Sequence, residues 1–287
     1  MKKTITITLV LIAFSLKAQV IKPNHEKVRI PDLKNKTMYF VSPGGSNNKD
    51  FQDVINKYWT FTKFKIITAD EVSKNYSTKN VFFLDASTTS AGNNGAGSTT
   101  TSSEYKMWSP TEKAIASGKE IKNLDVRFAE PYYEIKIEGD YWYAGFFKNF
   151  LQQMQDYMKT YLAKGKAEDV ADPSKISELK NATLYVPKYV LKPVFSEKAE
   201  KAEEMFSKYP YKYEVISSED LNKKIMAGEN IYYLITCIFG RNCKIINVVN
   251  SQTGQIVYSL FEVKPIYPYL RKQDIAVIAK ETEKAVK

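Results

Sequence analysis

A short stretch of this chain occurs twice, and it limits the folds open to the whole. Residues Leu33 to Val41 read LKNKTMYFV, and residues Leu179 to Pro187 read LKNATLYVP. Phe64 to Val72 (FKIITADEV) then matches Tyr213 to Leu221 (YEVISSEDL), and Asn80 to Leu84 (NVFFL) matches Asn230 to Leu234 (NIYYL). The offset drifts only from 146, between Leu33 and Leu179, to 150, between Asn80 and Asn230. Three matched blocks in one order point to a tandem duplication, in which each copy supplies its own strands, helices and core.

The hydrophobic period within each copy gives the element order. Thr37 to Val41 is β-branched and aromatic and stops at Ser42-Pro43-Gly44-Gly45, which predicts a strand. Phe51, Val54, Ile55 and Tyr58 fall on one face of a helix. Phe64 to Ile67 is a second strand, and Thr68-x-x-Glu71 opens a short helix as a capping box. Val81 to Leu84 is apolar throughout, as a central strand covered on both faces must be. The second copy repeats these steps with Thr183 to Val186, the stripe Ala199, Ala202, Phe206 and Tyr209, Tyr213 to Ile216, Ser217-x-x-Asp220 and Ile231 to Ile235. Gly228 is placed to end its second helix. Lys244 to Val249 and Gln255 to Val263 form a hairpin around Asn250-Ser251-Gln252-Thr253-Gly254. A last helix follows, with Ile275, Ile278, Ala279 and Thr282 on one side. In the first copy the corresponding helix carries Phe147, Phe150, Leu151, Met154, Met158 and Tyr161, after a strand at Tyr132 to Ile137. The expected class is α/β, with α+β as the variant: two tandem duplicated βαβαβ-hairpin-α domains.

The domains are expected at 33–164 and 179–287, joined by a linker at 165–178. Residues 86–103 are Ser, Thr, Gly and Asn-rich and read as a flexible insertion. Residues 1–18 carry Lys2 and Lys3, an apolar run from Ile5 to Phe14 and a small residue at Ala18, the pattern of a cleaved signal peptide. Residues 19–32, with Pro23 and Pro31, read as an N-terminal arm. No later stretch approaches the ~18 apolar residues of a spanning helix. The expected location is therefore the periplasm or the exterior. Loss of Lys2, Lys3 and Lys17, with no acid, takes the formal charge from +10 to +7. A basic balance favours an envelope protein or an anionic envelope polymer as partner, or else is a solvated lysine-rich surface, since the lysines are spread and no basic run of five appears. No nucleic-acid partner is expected.

The second half resembles a domain of the bacterial envelope through Ser217-Ser218-Glu219-Asp220-Leu221 and through the run Asn247 to Val257, with its Thr253-Gly254 turn between two strands. The domain is the one found at the N-terminus of the Tol-Pal propeller protein, in the curli-secretion lipoprotein and in lipoprotein activators of penicillin-binding proteins. The resemblance covers the second half and the first half through Leu84, and it implies a non-enzymatic binding or assembly module.

Catalytic chemistry has few residues to draw on. The one histidine, His25, lies in the arm, so a Ser-His-Asp device has no firmly held base. One His and two Cys leave a metal site of that type almost without ligands. Gly92-Asn93-Asn94-Gly95-Ala96-Gly97 runs GxxGxG and lacks a following Gly-Lys-Ser/Thr, which leaves a loop in place of a phosphate cradle. Ser46-x-x-Lys49 and Ser103-x-x-Lys106 have the serine–lysine spacing of penicillin-recognising enzymes without the companion motifs. No catalytic, cofactor or metal residue is assigned. Two features remain. Cys237 and Cys243 flank a turn between apolar strands, and in an oxidising compartment they are expected to form a disulfide. Tyr141, Trp142 and Tyr143 are an aromatic cluster able to stack on a glycan or partner, or else to pack under the helix that follows. The expected function is a non-enzymatic binding or assembly protein of the envelope. Its rival is an extracytoplasmic protein holding a small molecule or glycan between the two halves.

Overall fold

A computed structural model describes residues 33–43, 48–75, 78–92, 99–110, 129–138, 143–165, 171–191, 201–239, 243–263 and 270–285. The signal-peptide and arm readings, His25, Ala199, Tyr141 and Trp142 lie outside these residues. The architecture is α/β, built on two mixed five-stranded sheets.

The first sheet holds β1 (Thr37–Val41), β2 (Phe64–Ile67), β3 (Val81–Gly92), β4 (Thr99–Pro110) and β5 (Ala129–Glu138), in the order β2-β1-β3-β4-β5. Strand β1 runs parallel to β2 and β3, and β4 is antiparallel to β3 and β5. The second sheet holds β6 (Leu184–Pro187), β7 (Tyr213–Ile216), β8 (Tyr232–Phe239), β9 (Cys243–Asn250) and β10 (Ile256–Val263), in the order β7-β6-β8-β9-β10. Again the first three strands are parallel and the last two antiparallel, so the two sheets share strand order and strand sense. The helices also correspond in order: α1 (Asn48–Tyr58), α2 (Ala69–Asn75) and α3 (Ala144–Lys164), then α4 (Ala202–Met205), α5 (Ser218–Ala227) and α6 (Lys272–Lys284).

The capping residues read from the sequence are in place. The Thr68 N–H donates to Glu71 Oε2 at 2.8 Å at the start of α2. The Ser217 hydroxyl accepts the Asp220 N–H at 3.0 Å at the start of α5. Gly228 ends α5 with φ 78°, a left-handed conformation that a glycine adopts without a Cβ clash.

Each sheet is covered on both faces. Met38, Phe40, Phe82, Leu84, Tyr105 and Met107 turn one face of the first sheet toward Phe51, Val54 and Ile55 of α1 and toward α3. The other face carries Val41, Ile67, Val81, Phe83 and Trp108 with Val72 of α2. In the second sheet Leu184, Val186, Leu234, Ile246 and Val248 pack on Ile275 and Ile278 of α6.

Three stretches differ from the sequence reading. Of residues 86–103, expected as a flexible insertion, the described ones, 86–92 and 99–103, are strand, with Ala86 opposite Tyr105 and Gly92 opposite Thr99. Backbone pairing needs no apolar side chain, and β-branched Thr favours the extended backbone. The linker expected at 165–178 folds from Pro173 onward as a 3-10 helix, Pro173–Lys180, whose Ile176 and Leu179 are buried in the second core. The stripe expected from Ala199 yields only the single turn α4 among the described residues, although Phe206 and Tyr209 are buried. No helix among the described residues is long and apolar enough to cross a membrane.

Candidate functional site

The helix α3 is the structural junction of the molecule. An amphipathic helix buries one stripe, whereas α3 is buried from Ala144 through Leu151 without a break. Toward the first sheet, Phe147 stacks on Phe40 with centroids 5.3 Å apart and lies 5.1 Å from Phe51. Phe150 stacks on Tyr105 at 5.1 Å. Toward the second sheet, Phe146 meets Tyr233 edge-on at 5.6 Å, and one continuous core takes in Ile216, Leu221, Ile225, Ile235, Ile245, Val249 and Ile256.

The polar residues of α3 close the seam. Lys148 is 2% exposed, and its Nζ donates to the carbonyls of Ile225 at 3.1 Å and Ser251 at 3.3 Å. Ile225 lies in the last turn of α5, where the helix dipole presents partial negative charge to a cation. The ammonium also lies 5.4 Å from the Tyr58 ring centre. Burial, with a smaller contribution from the charge of Lys57, lowers the pKa of this amine. Asn149 Nδ2 donates to Ser251 O at 2.7 Å, and its Oδ1 accepts the Tyr233 hydroxyl at 3.0 Å. Gln152 Nε2 donates to Gln252 O at 2.9 Å. Toward the first half, Gln155 Oε1 accepts the Thr60 N–H and its Nε2 donates to Tyr58 O, each at 2.7 Å.

The Thr-Gly turn is the other side of this seam. Asn250 Oδ1 accepts from the backbone N–H of Gln252 and Thr253, both at 3.0 Å, and so folds the turn on itself. Gly254 has φ 74°, and a Cβ there would come within 2.7 Å of the Asn149 carbonyl oxygen. Gly145 makes the matching approach to α5, where a Cβ would lie 2.8 Å from Asn222 Oδ1. That same oxygen accepts the Gly145 N–H at 2.8 Å.

A second polar cluster ties the hairpin to α6. Lys244 Nζ is 2.7 Å from Asp274 Oδ2 and 3.1 Å from Glu262 Oε2. Arg271 Nη2 reaches Glu262 at 2.5 Å and Asp274 Oδ1 at 3.1 Å. Two cations and two carboxylates balance, so the burial of Lys244 and Asp274 is compensated.

Of the aromatic cluster, Tyr143 is half-buried just before α3 and tilts against Phe146 at 6.3 Å, on the edge of the shared core. The cysteines are described by backbone register alone: Cys237 pairs with Ile245, and Cys243 with Phe239. They stand two residues out of direct opposition on neighbouring strands.

The sequence stripe identified the apolar side of α3 but missed Lys148, Asn149, Gln153 and Gln155, which are buried as well. The signal available was Phe146, which lies outside the stripe beside Phe147 and Phe150 and widens the aromatic surface beyond one face. No family model matches the chain, and neither a curated protein nor a solved structure does.

Proposed function

We propose that this is a non-enzymatic binding or assembly protein of the bacterial cell envelope, exported to the periplasm or secreted, and built by duplication of one α/β unit. The observation that carries this reading is the filled seam. The space between the halves, where the rival reading would seat a small molecule or glycan, is occupied by Phe146, Lys148 and Asn149, bonded to the second half. A ligand there would have to displace buried side chains and leave the Ile225 and Ser251 carbonyls short of donors, at a cost of about 1–3 kcal/mol for each buried group left unsatisfied. A scaffold locked in this way presents its partner surfaces on outer rims and edges. The charge of the chain and the resemblance to envelope assembly modules support an envelope protein or anionic polymer as the partner. Fractionation of a bacterium expressing the full chain tests the reading. The expected result is a mature form beginning at Gln19 in the periplasmic or culture fraction. Full-length protein confined to the cytoplasm would overturn it.

A further inference from the structure

The three parallel strands of the first sheet begin at one rim, and that rim collects lysines. Thr37 N–H bonds to Asn80 O at 3.0 Å, and Met38 N–H to Lys63 O at 2.9 Å. This fixes Lys63, Lys36 and Lys79 at the starts of β2, β1 and β3. Neighbouring strands are ~4.8 Å apart, so the backbones of these residues span about 10 Å, comparable to the Debye length at physiological salt. Lys34 lies in the turn just before, and Lys65 follows on β2 with its Nζ 5.7 Å from the Tyr39 ring centre. Lys34, Lys63, Lys65 and Lys79 are exposed, and Lys36 is half-buried. The segments that build the rim, 33–41, 59–67 and 78–84, contain no Asp or Glu. Asn80, with φ 60°, holds the left-handed turn that presents Lys79.

The second half shows that the fold does not demand this charge. Leu184 N–H bonds to Lys212 O at 3.0 Å, as Met38 does to Lys63. Tyr185 pairs with Glu214, where Tyr39 pairs with Lys65. Across the matched positions Lys34, Lys36, Lys63, Lys65 and Lys79 become Lys180, Ala182, Lys212, Glu214 and Glu229. Five positive charges in one unit correspond to two positive and two negative in the other. Lys65 also lies near Glu71, whose carboxyl it helps to hold below its ordinary value. Like charges held close repel, so a rim that gathers Lys34, Lys36, Lys63 and Lys79 is suited to an anionic partner.

We infer that this lysine rim of the first sheet is the binding surface for a linear polyanion, a polymer bearing repeated carboxylate or phosphate groups. The inference rests on the envelope reading only for where the polymer is met. Repeated charge on a flexible chain suits a rim three strands wide, along which successive anions can reach successive lysines.

The test uses the mature full chain with two soluble probes, poly-L-glutamate and inorganic polyphosphate, and with vesicles containing phosphatidylglycerol. Affinity is measured against salt. One variant carries Lys34→Gln, Lys63→Gln and Lys79→Gln. The control carries Lys180→Gln, Lys212→Gln and Lys280→Gln and has the same net charge. Melting temperatures confirm that both fold. The expected result is a loss of affinity of about tenfold or more in the rim variant and less than about twofold in the control, with a salt slope shallower by about two in the rim variant alone. Equal losses in both variants, no loss in either, no polymer binding by the parent chain, or rim-dependent binding to vesicles alone would each overturn the inference. These outcomes leave the cellular location untouched, so the rim can fail while the envelope reading stands, and the reverse.

Discussion

Lys148 and Gly254 show how single residues hold the two halves together. Replacing Lys148 by Met keeps the stem and removes the donor to Ile225 O and Ser251 O. The expected loss is about 1–3 kcal/mol in urea unfolding at neutral pH. Its pH dependence follows from the lowered amine pKa. The folded chain releases this proton at lower pH than the unfolded chain, whose reference value is 10.5. The penalty for burying the charge is therefore present below the folded value and is lifted as pH rises toward 10.5. The stability gap between the parent and Lys148→Met should widen over that window, and a constant gap would show that the amine titrates as if exposed. Gly254→Ala and Gly228→Ala form a matched pair. Both glycines have positive φ, at 74° and 78°, but only Gly254 has protein atoms within 4 Å of an added Cβ. Gly228→Ala should cost about 1–2 kcal/mol, for the backbone alone. Gly254→Ala should cost clearly more, because the Asn149 carbonyl must move. Equal costs would mean that the turn does not bear on α3.

At the scale of elements, the short helices α2 and α5 begin on equivalent carboxylates. Glu71 is held below its ordinary value of 4.5, first by the Thr68 N–H, and Asp220 below 3.8, first by the Ser217 hydroxyl. Groups with depressed folded pKa values stabilise above the ordinary carboxylate range, and the contribution disappears as pH falls through the folded values. The double variant Glu71→Gln and Asp220→Asn should therefore melt below the parent at pH 7, with the difference closing under strong acid. A difference that persists below both folded values would contradict the assignment. These caps were legible in the sequence because a capping box is a local pattern, as were the hairpin turn and the stripe of α6. Residues 86–103 were not. Their Ser, Thr and Gly carry no period, and what makes 86–92 and 99–103 strand is backbone pairing of these two arms with each other, as the outer ends of β3 and β4. Pro173–Lys180 was likewise hidden, since only the tertiary structure gives Ile176 and Leu179 something to pack against.

At the scale of the whole molecule, the matched blocks became strands and helices of the expected kinds, in two sheets that share one strand order. The repeats did not anticipate that α3 serves both sheets. A sequence period reports how wide an apolar face is; it does not report that carbonyls at Ile225 and Ser251 will receive Lys148 and Asn149. That junction joins the two units through one continuous core. Truncating Phe146 to Ala should weaken both halves together, by about 3–5 kcal/mol. The most direct measurement is hydrogen exchange followed by mass spectrometry through a guanidinium titration, comparing peptides around Phe82 in β3 with peptides around Leu234 in β8. Coincident midpoints are expected, with both sets shifting equally in Phe146→Ala. Separate midpoints, or a shift confined to one sheet, would show two independent domains and contradict the shared core.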